Sequence, residues 1–207
     1  MTQSDAGRVA EYNQQRQEEF ASSRVCRLLT DHNTSPATKK AVLTYLQPWS
    51  DAFQRMIDVR VEHETDPALR ELAVEHRSEE VGHNQILARS RDDDRTVWDP
   101  VIDSGASWFI DQFVTLPSVP RVVLAHLVLE AGSLVFSQAG VRAFPGDAYF
   151  DLHDEADTEH LEMGYRVLRD RTDWHTDEVV TVLDRAWTVM TMVADRVADR
   201  AVRDTTG

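Results

Sequence analysis

The most apolar stretch of the chain runs over residues 122 to 141 and is long enough to suggest a membrane span. It contains His126 and Glu130, however, and no anchoring cluster of basic residues precedes it. We therefore interpret this stretch as a helix buried in a soluble protein. A carboxylate in apolar surroundings is costly unless another group satisfies it, so Glu130 is a candidate functional residue.

Elsewhere, short capping signals separate long stretches that are poor in glycine and proline. Ser35 before Pro36, and Thr65 before Asp66 and Pro67, each place a capping side chain and a proline at the start of a helix. The chain has no Gly/Ser linker and no internal repeat, so we predict a single all-α domain over residues 1 to 207. The predicted helices cover about 8 to 30, 36 to 63, 66 to 89, 119 to 143, 147 to 171 and 177 to 204, with a short helix or lid at 107 to 113.

Composition narrows the functional classes. The chain has 36 acidic and 22 basic residues and a net charge of -14, which disfavours binding to nucleic acid or to anionic membranes. Its one cysteine, Cys26, excludes an intramolecular disulfide and is interpreted as a buried structural thiol. The polar N-terminal segment lacks the apolar core of a signal peptide, so we expect a cytoplasmic protein.

Two segments, 76 to 83 and 153 to 160, share the spacing H-x3-[D/E]-x2-H. At about 100° per residue, the fourth residue after the first histidine lies about 40° away on the helix and the seventh about 20° away on the other side. Each motif therefore places three potential metal ligands on one helix face. The residues at the motif positions are His76, Glu80, His83, His153, Asp157 and His160.

Imidazole and carboxylate groups suit iron, manganese and zinc, and helical bundles hold pairs of such metals between facing helices with Glu and Glu-x-x-His groups. Glu130 joins this candidate set through the geometry of a helical hairpin, in which residues equidistant from the turn lie at similar depth. The turn after residue 143 places Glu130 level with Glu159, which is next to His160. The lone carboxylate of the apolar helix is therefore expected to meet the second motif.

Some assignments stay open. His76 either binds metal or orients Glu80 or His83, and Glu79 is an alternative to Glu80. The hairpin rule also places Asp51 level with Glu80, but its context suits an exposed acid and we leave it outside the set. The alternative for the second motif is a surface network of ion pairs, and for Glu80 with His83 it is an exposed acidic face. The other histidines are interpreted as structural or exposed: His32, His63, His126 and His175. Candidates for substrate contacts are Arg121, Arg142, Arg166, Phe109 and Phe113, and the sequence does not rank them.

With these residues in hand, the chain resembles the haem-oxygenase-like di-iron oxygenases and oxidases, from about the second long helix to the helix over 147 to 171. The resemblance rests on Glu-Glu-x-Gly-His at 79 to 83, Leu-Glu-Ala-Gly-Ser at 129 to 133 and His-x3-Asp-x2-His at 153 to 160. It implies an all-α haem-oxygenase-like bundle of about seven helices that binds two irons. Carried onto this chain, the implied ligands are Glu80, His83, Glu130, His153, Asp157 and His160. Several members have a carboxylate where this chain has His76, which we keep as a further candidate ligand.

The resemblance also implies an enzyme of small-molecule biosynthesis that activates O2 with the help of an external electron donor. It would desaturate, cleave or N-oxygenate a small substrate, expected to be an amino acid, with a fatty acid as the alternative. No nucleic-acid or membrane partner is expected, and a homodimer stays open. A ferritin-like iron store leaves His153 unexplained, and a purely structural bundle leaves Glu130 unexplained. Haem oxygenase and thiaminase-like relatives are set aside, because no histidine precedes His32 and Cys26 matches no motif.

Overall fold

A computed structural model gives the fold of residues 4 to 91 and 93 to 206, and the side chains of 154 to 157 lie outside the described part. Within those ranges the chain forms helices joined by short loops, with no strand. A π-helix, Val123–Glu130, joins α7 to α8. The α-helices are α1 Asp5–Ala21, α2 Arg24–Thr30, α3 Pro36–His63, α4 Pro67–Glu80, α5 His83–Ser90, α6 Pro100–Thr115, α7 Ser118–Val122, α8 Ala131–Ala143, α9 Ala148–Asp170 and α10 Thr176–Thr206.

The capping signals account for the starts of the helices. Ser35 caps α3 as predicted, because its hydroxyl accepts a hydrogen bond from a backbone N–H three residues further on. For α4 the predicted cap was displaced by one residue: Asp66, and not Thr65, caps the helix. Oδ1 of Asp66 accepts from the N–H groups of Ala68 and Leu69 at 3.0 and 3.1 Å, so it satisfies two of the free donors at the start of the helix.

Two of the predicted helices are broken. The first is interrupted at Ser22 and Ser23, where Ser23 adopts an extended conformation and starts α2. The third is interrupted at Gly82, whose φ of 93° lies in the left-handed region that glycine adopts without steric cost. As a result Glu80 is the last residue of α4 and His83 is the first residue of α5.

The segment predicted as a short helix or lid at 107 to 113 is part of the longer helix α6. Asp99 caps this helix by accepting from the N–H of Val101 at 3.0 Å, and Pro100 occupies its first turn. This Asp-Pro pair is the same signal that opens α4, and the prediction overlooked it. Phe109 and Phe113 on α6 are fully buried in the core.

The apolar run forms the central helix of the bundle, continuous from Ser118 to Ala143 through the π-helix. This helix is long and apolar enough to cross a membrane, but 83% of its most apolar window is buried inside the bundle, which is consistent with a soluble protein. Helix α9 packs closely along it at Gly164. A Cβ atom at Gly164 would lie 2.8 Å from Cβ of His126, so only glycine allows this approach.

The contact at Gly164 gives a stability prediction. Gly164→Ala should lower the free energy of unfolding by about 1 to 3 kcal/mol, because the added methyl group overpacks a rigid part of the core. Urea denaturation of the metal-free protein measures this. Arg166→Ala, at an exposed position on the same helix, is the control and should change stability by less than about 0.5 kcal/mol. Equal effects of the two substitutions would contradict the packing argument.

Candidate metal centre

Six of the seven predicted ligands meet in the core, where α4, α5, the end of the π-helix and α9 come together. The side chain of the seventh, Asp157, lies outside the described residues. The six are shielded from solvent, which argues against a surface network of ion pairs. Relative exposures are 1% for His76, 1% for Glu80, 2% for Glu130, 5% for His153 and 4% for His160, and the side chain of His83 is 12% exposed.

The first group combines His76, Glu80, Glu130 and His160, whose potential ligand atoms all lie within 4.8 Å of one another. Nε2 of His76 is 2.9 Å from Oε1 of Glu130. Nδ1 of His160 lies 3.4 Å from Oε2 of Glu130 and 3.6 Å from Oε1 of Glu80. The hairpin argument therefore placed Glu130 correctly beside His160, and the group has the size and the donor atoms to hold a metal ion.

The second group combines Glu80, His83 and His153, again within 4.8 Å. The rings of His83 and His153 meet edge to face with their centroids 4.9 Å apart. Glu80 belongs to both groups, so a single carboxylate lies between two candidate cation positions. Because an ionised carboxylate has two oxygens with several lone pairs, Glu80 can bind two metal ions at once.

The two motifs reach the site in different ways. Helix α9 is continuous, and seven residues of α-helix rise by about 10 Å, so His153 joins the second group and His160 joins the first. The first motif was predicted to share one helix face, and this was wrong because Gly82 breaks the helix between Glu80 and His83. The two side chains still meet, since the turn at Gly82 brings the start of α5 back toward the end of α4.

Two buried polar atoms support a cation at this site. Oε1 of Glu80 and Nδ1 of His83 have no hydrogen-bond partner among the described residues, although such atoms are rarely left unsatisfied. Nδ1 of His83 lies 2.7 Å from Oε2 of Glu80. The two side chains are therefore close enough to bind the same cation. The residues present thus fit a metal ion.

Hydrogen bonds outside the groups orient two of the histidines. His153 directs Nδ1 to the carbonyl oxygen of Tyr149 at 2.7 Å, which leaves Nε2 to face the second group. His160 directs Nε2 to Oε2 of Glu79 at 3.0 Å, which leaves Nδ1 to face Glu130. Such partners fix the ring orientation of metal-binding histidines. Glu79 thus contacts the ring nitrogen of His160 that points away from Glu130, whereas Glu80 lies among the candidate ligands.

Sequence reasoning missed two residues that contact the site. Arg60 on α3 is 1% exposed, and its Nη1 lies 2.9 Å from Nδ1 of His76. His126, interpreted as structural or exposed, is fully buried and lies 3.0 Å from Nη2 of the same arginine. The sequence offered one signal for Arg60, namely a charged residue between apolar residues of α3. An arginine whose stem is buried and whose guanidinium group reaches the solvent gives the same pattern.

The charges of the first group depend on one another. Burial raises the pKa of Glu130, but electrostatic and hydrogen-bond interactions with His76 and His160 outweigh it and hold this pKa well below its usual range. Burial lowers the pKa of His160, but Glu130, Glu80 and Glu79 outweigh it and raise the pKa to about 9. In the metal-free protein His160 therefore carries an extra proton at neutral pH, and a metal ion has to displace it.

This proton predicts a pH dependence of metal binding. Below its raised pKa of about 9, His160 is protonated, so the apparent Fe(II) affinity of the first group should rise by about tenfold per pH unit from pH 6.5 toward pH 9 and then level off. Burial lowers the pKa of His153, so the second group should lack this rise in the same interval. Anaerobic competition titrations with a coloured chelator measure both affinities. A first-group affinity that stays constant over this range would contradict the prediction.

A mostly apolar cavity adjoins the site and contains about 760 Å³ of empty space, including its mouth. Glu80, His83, Glu130 and His153 form its polar wall, and no lysine or arginine within the described ranges lines it. The cavity therefore leads directly to both groups of candidate ligands. Its apolar walls include Phe20, Leu46, Trp49, Phe53, Phe136 and Met190.

The residues proposed for substrate contacts lie elsewhere. Arg121 is buried against Glu64 and donates to backbone carbonyl groups, and Arg142 and Arg166 are exposed. None of these arginines lines the cavity, and neither do the two phenylalanines of α6. The structure thus offers no support for any of the five as a substrate contact.

Comparisons with known proteins identify the fold. No protein-family model matches the chain. An uncharacterized protein of Rickettsia prowazekii is 26% identical over 190 residues, which are 90% of this chain and 91% of that protein. A domain of unknown function with a haem oxygenase-like fold from Shewanella denitrificans superposes with a TM-score of 0.78 at 14% identity, covering 97% of this chain and 94% of that one.

Two TenA homologues are similar in the same way. The protein from Pseudomonas syringae has a TM-score of 0.72 at 11% identity and covers 95% of this chain and 91% of its own. The protein from Pyrococcus furiosus has a TM-score of 0.74 at 8% identity and covers 94% of this chain and all of its own. The predicted architecture is confirmed: the chain has an all-α, haem oxygenase-like fold.

Proposed function

We propose that the protein is a non-haem di-iron enzyme that uses O2 to oxidise a small organic substrate. The observation that carries this proposal is the position of Glu80, buried between two groups of ligands with one oxygen lacking a hydrogen-bond partner in the described part of the chain. One shared carboxylate with histidines on both sides fits a pair of metal ions better than a single ion. The net charge of -14 supports the expectation that nucleic acid is not a partner.

The donor set favours iron over softer metals. It consists of imidazole nitrogens and carboxylate oxygens, without a thiolate, which is the ligand chemistry of non-haem iron and manganese. When bound, two Fe(II) ions would supply O2 activation, with electrons from an external donor. His83 and His153 would hold one ion, and His160 with Glu130 the other. Glu80 would contribute to both, and Asp157 is proposed as a further ligand on the basis of its motif.

The protein residues around the site would bind the substrate and exclude water. The apolar walls of the cavity suit an alkyl or aryl group. A free amino acid carries two charged groups close together, whereas a fatty acid carries one charged group at the end of a long apolar chain, which suits the apolar walls better. Of the two expected substrate classes, the cavity therefore supports an apolar molecule such as a fatty acid over an amino acid.

A thiol-based enzyme of the thiaminase-like kind receives less support. Cys26 is 2% exposed, and burial raises the pKa of its thiol, which disfavours the reactive thiolate. It is also absent from the lining of the cavity next to the candidate metal ligands. A ferritin-like iron store is the remaining alternative, and the presence of a shaped apolar cavity supports an enzyme instead.

The metal content tests the proposal directly. Protein loaded anaerobically with Fe(II) should bind about two irons per chain, as expected for a carboxylate and histidine site in a helical bundle. Metal analysis after removal of excess iron measures the ratio. Saturation at one iron, with all candidate ligands intact, would contradict the di-iron assignment.

A second measurement separates an enzyme from a store. The Fe(II) protein should consume O2 faster when its substrate is present, so screening fatty acids, aryl acids and amino acids by O2 uptake distinguishes the classes. An enzyme should respond to some of these compounds, with apolar molecules ahead of amino acids. A store should oxidise its iron at one rate whatever compound is added.

A further inference from the structure

Arg60 is a buried cation that the proposed reaction leaves without a role. Its guanidinium group is enclosed by the bundle and makes contact with two imidazole rings, through Nη1 to Nδ1 of His76 at 2.9 Å and through Nη2 to Nε2 of His126 at 3.0 Å. The two rings are 4.8 Å apart between centroids. A buried arginine usually pairs with a carboxylate, so contact with two histidines is a specific arrangement.

The direction of these hydrogen bonds fixes the protons on both rings. A guanidinium group only donates, so Nδ1 of His76 and Nε2 of His126 must both accept. A neutral imidazole has one N–H group, which places the proton of His76 on Nε2 and that of His126 on Nδ1. Burial and the neighbouring charge of Arg60 hold the pKa of His126 well below its usual value, in agreement with a neutral ring.

His76 then becomes a donor to Glu130. Its Nε2 lies 2.9 Å from Oε1 of Glu130, so the N–H group points at this oxygen and has no lone pair to offer a metal ion. The other oxygen of Glu130, Oε2, faces Nδ1 of His160 at 3.4 Å. One carboxylate oxygen is thus held by protein while the other faces the ligands of the first group.

We propose that Arg60 is a positioning residue, which fixes the tautomer of His76 so that His76 holds Glu130 in place and does not itself bind metal. The charge of the guanidinium group supports this chain of contacts. Burial lowers the pKa of Arg60 to about 10, opposed by Glu130 and Glu64, so the group remains charged at neutral pH. The role in metal binding rests on the proposed di-iron site, whereas the tautomer is a property of the metal-free protein.

Nuclear magnetic resonance of protein labelled with nitrogen-15 histidine tests the tautomer. In the metal-free protein, the ring signals that disappear in His76→Gln should report an N–H group at Nε2 and an unprotonated Nδ1. A proton at Nδ1 would overturn the inference irrespective of any metal. The same sample is then loaded with zinc, a diamagnetic substitute for iron. The Nε2–H signal should remain, and its loss on zinc binding would identify His76 as a ligand and overturn the proposed role.

Substitutions of Arg60 test its effect on the site. Arg60→Met should remove the donor that faces Nδ1 of His76, so the Nδ1 signal should shift while Glu130 still accepts from Nε2–H. It should also weaken zinc binding to the first group by about 10- to 100-fold, the usual cost of losing a partner that orients a metal ligand. Lysine has one compact ammonium group in place of the planar guanidinium group, so Arg60→Lys should recover only part of the lost affinity. An unchanged Nδ1 signal or an unchanged affinity in Arg60→Met would contradict the proposal.

Arg121→Met is the matched control, because Arg121 is also a buried arginine but contacts Glu64 and backbone carbonyl groups instead of the candidate ligands. It should lower stability without changing the signals of His76. A wild-type protein that has the expected tautomer but binds no metal would contradict the proposed function and leave the role of Arg60 in fixing the tautomer intact.

Discussion

Glu80→Ala is expected to lower the iron content from about two ions per chain to one or none. Among the described residues, Glu80 alone belongs to both groups, and its carboxylate would also offset part of the positive charge of two Fe(II) ions. Its removal therefore affects both cation positions, whereas loss of a residue from one group affects only one. Anaerobic iron titration followed by metal analysis measures the change.

Two neighbouring substitutions provide controls for this experiment. Glu79→Ala removes a half-exposed carboxylate that touches only the back of His160, so it should leave about two irons bound with weaker affinity. His76→Ala should likewise weaken binding but retain measurable occupancy by two irons at high Fe(II). If His76→Ala removed an iron outright while Glu80→Ala did not, His76 would be the ligand and Glu80 would be dispensable.

Glu130→Ala should lower O2-dependent turnover by more than about 100-fold, because losing a proposed ligand costs more than the 10- to 100-fold that loss of an orienting partner costs. The variant should remain folded, since the substitution leaves the rest of the core unchanged. Circular dichroism checks the fold, and O2 uptake with a responsive substrate checks the turnover.

The control for this prediction is Glu159→Ala, because Glu159 is an exposed carboxylate on α9, next to the candidate ligand His160. It should retain nearly normal turnover. Normal activity in Glu130→Ala would mean that the buried carboxylate is structural, and it would remove the main reason for grouping the central helix with the two histidine motifs.

Much of the architecture could be predicted because it depends on local signals. Ser35 and Pro36 determined the start of α3, and the apolar run determined the central helix. The position of Glu130 beside His160 followed from the equal distances of the two residues from one turn. Such features depend on the number of residues between two positions and on the capping residues, both of which can be read from the sequence.

The remaining features depend on contacts between distant segments. Glycine is compatible with both an ordinary helix and the left-handed turn that Gly82 adopts, so the local sequence does not determine which one forms. Arg60 lies 16 residues from His76 and 66 from His126 in the sequence, so no local pattern relates them. The side chain of Asp157 lies outside the described residues, so its ligand role stays a prediction from the second motif.

The π-helix Val123–Glu130 makes the position of Glu130 sensitive to the number of residues before it as well as to their identity. Each of its hydrogen bonds spans one residue more than in an α-helix, so a deletion of one residue in this segment would let it close as an ordinary α-helix. The residues on either side would keep nearly the same helix faces, because the π-helix accommodates its extra residue by widening the turn. Alignments of related chains should therefore allow a one-residue gap just before the glutamate, since an ungapped alignment of a relative that lacks the extra residue would pair Glu130 with the wrong position.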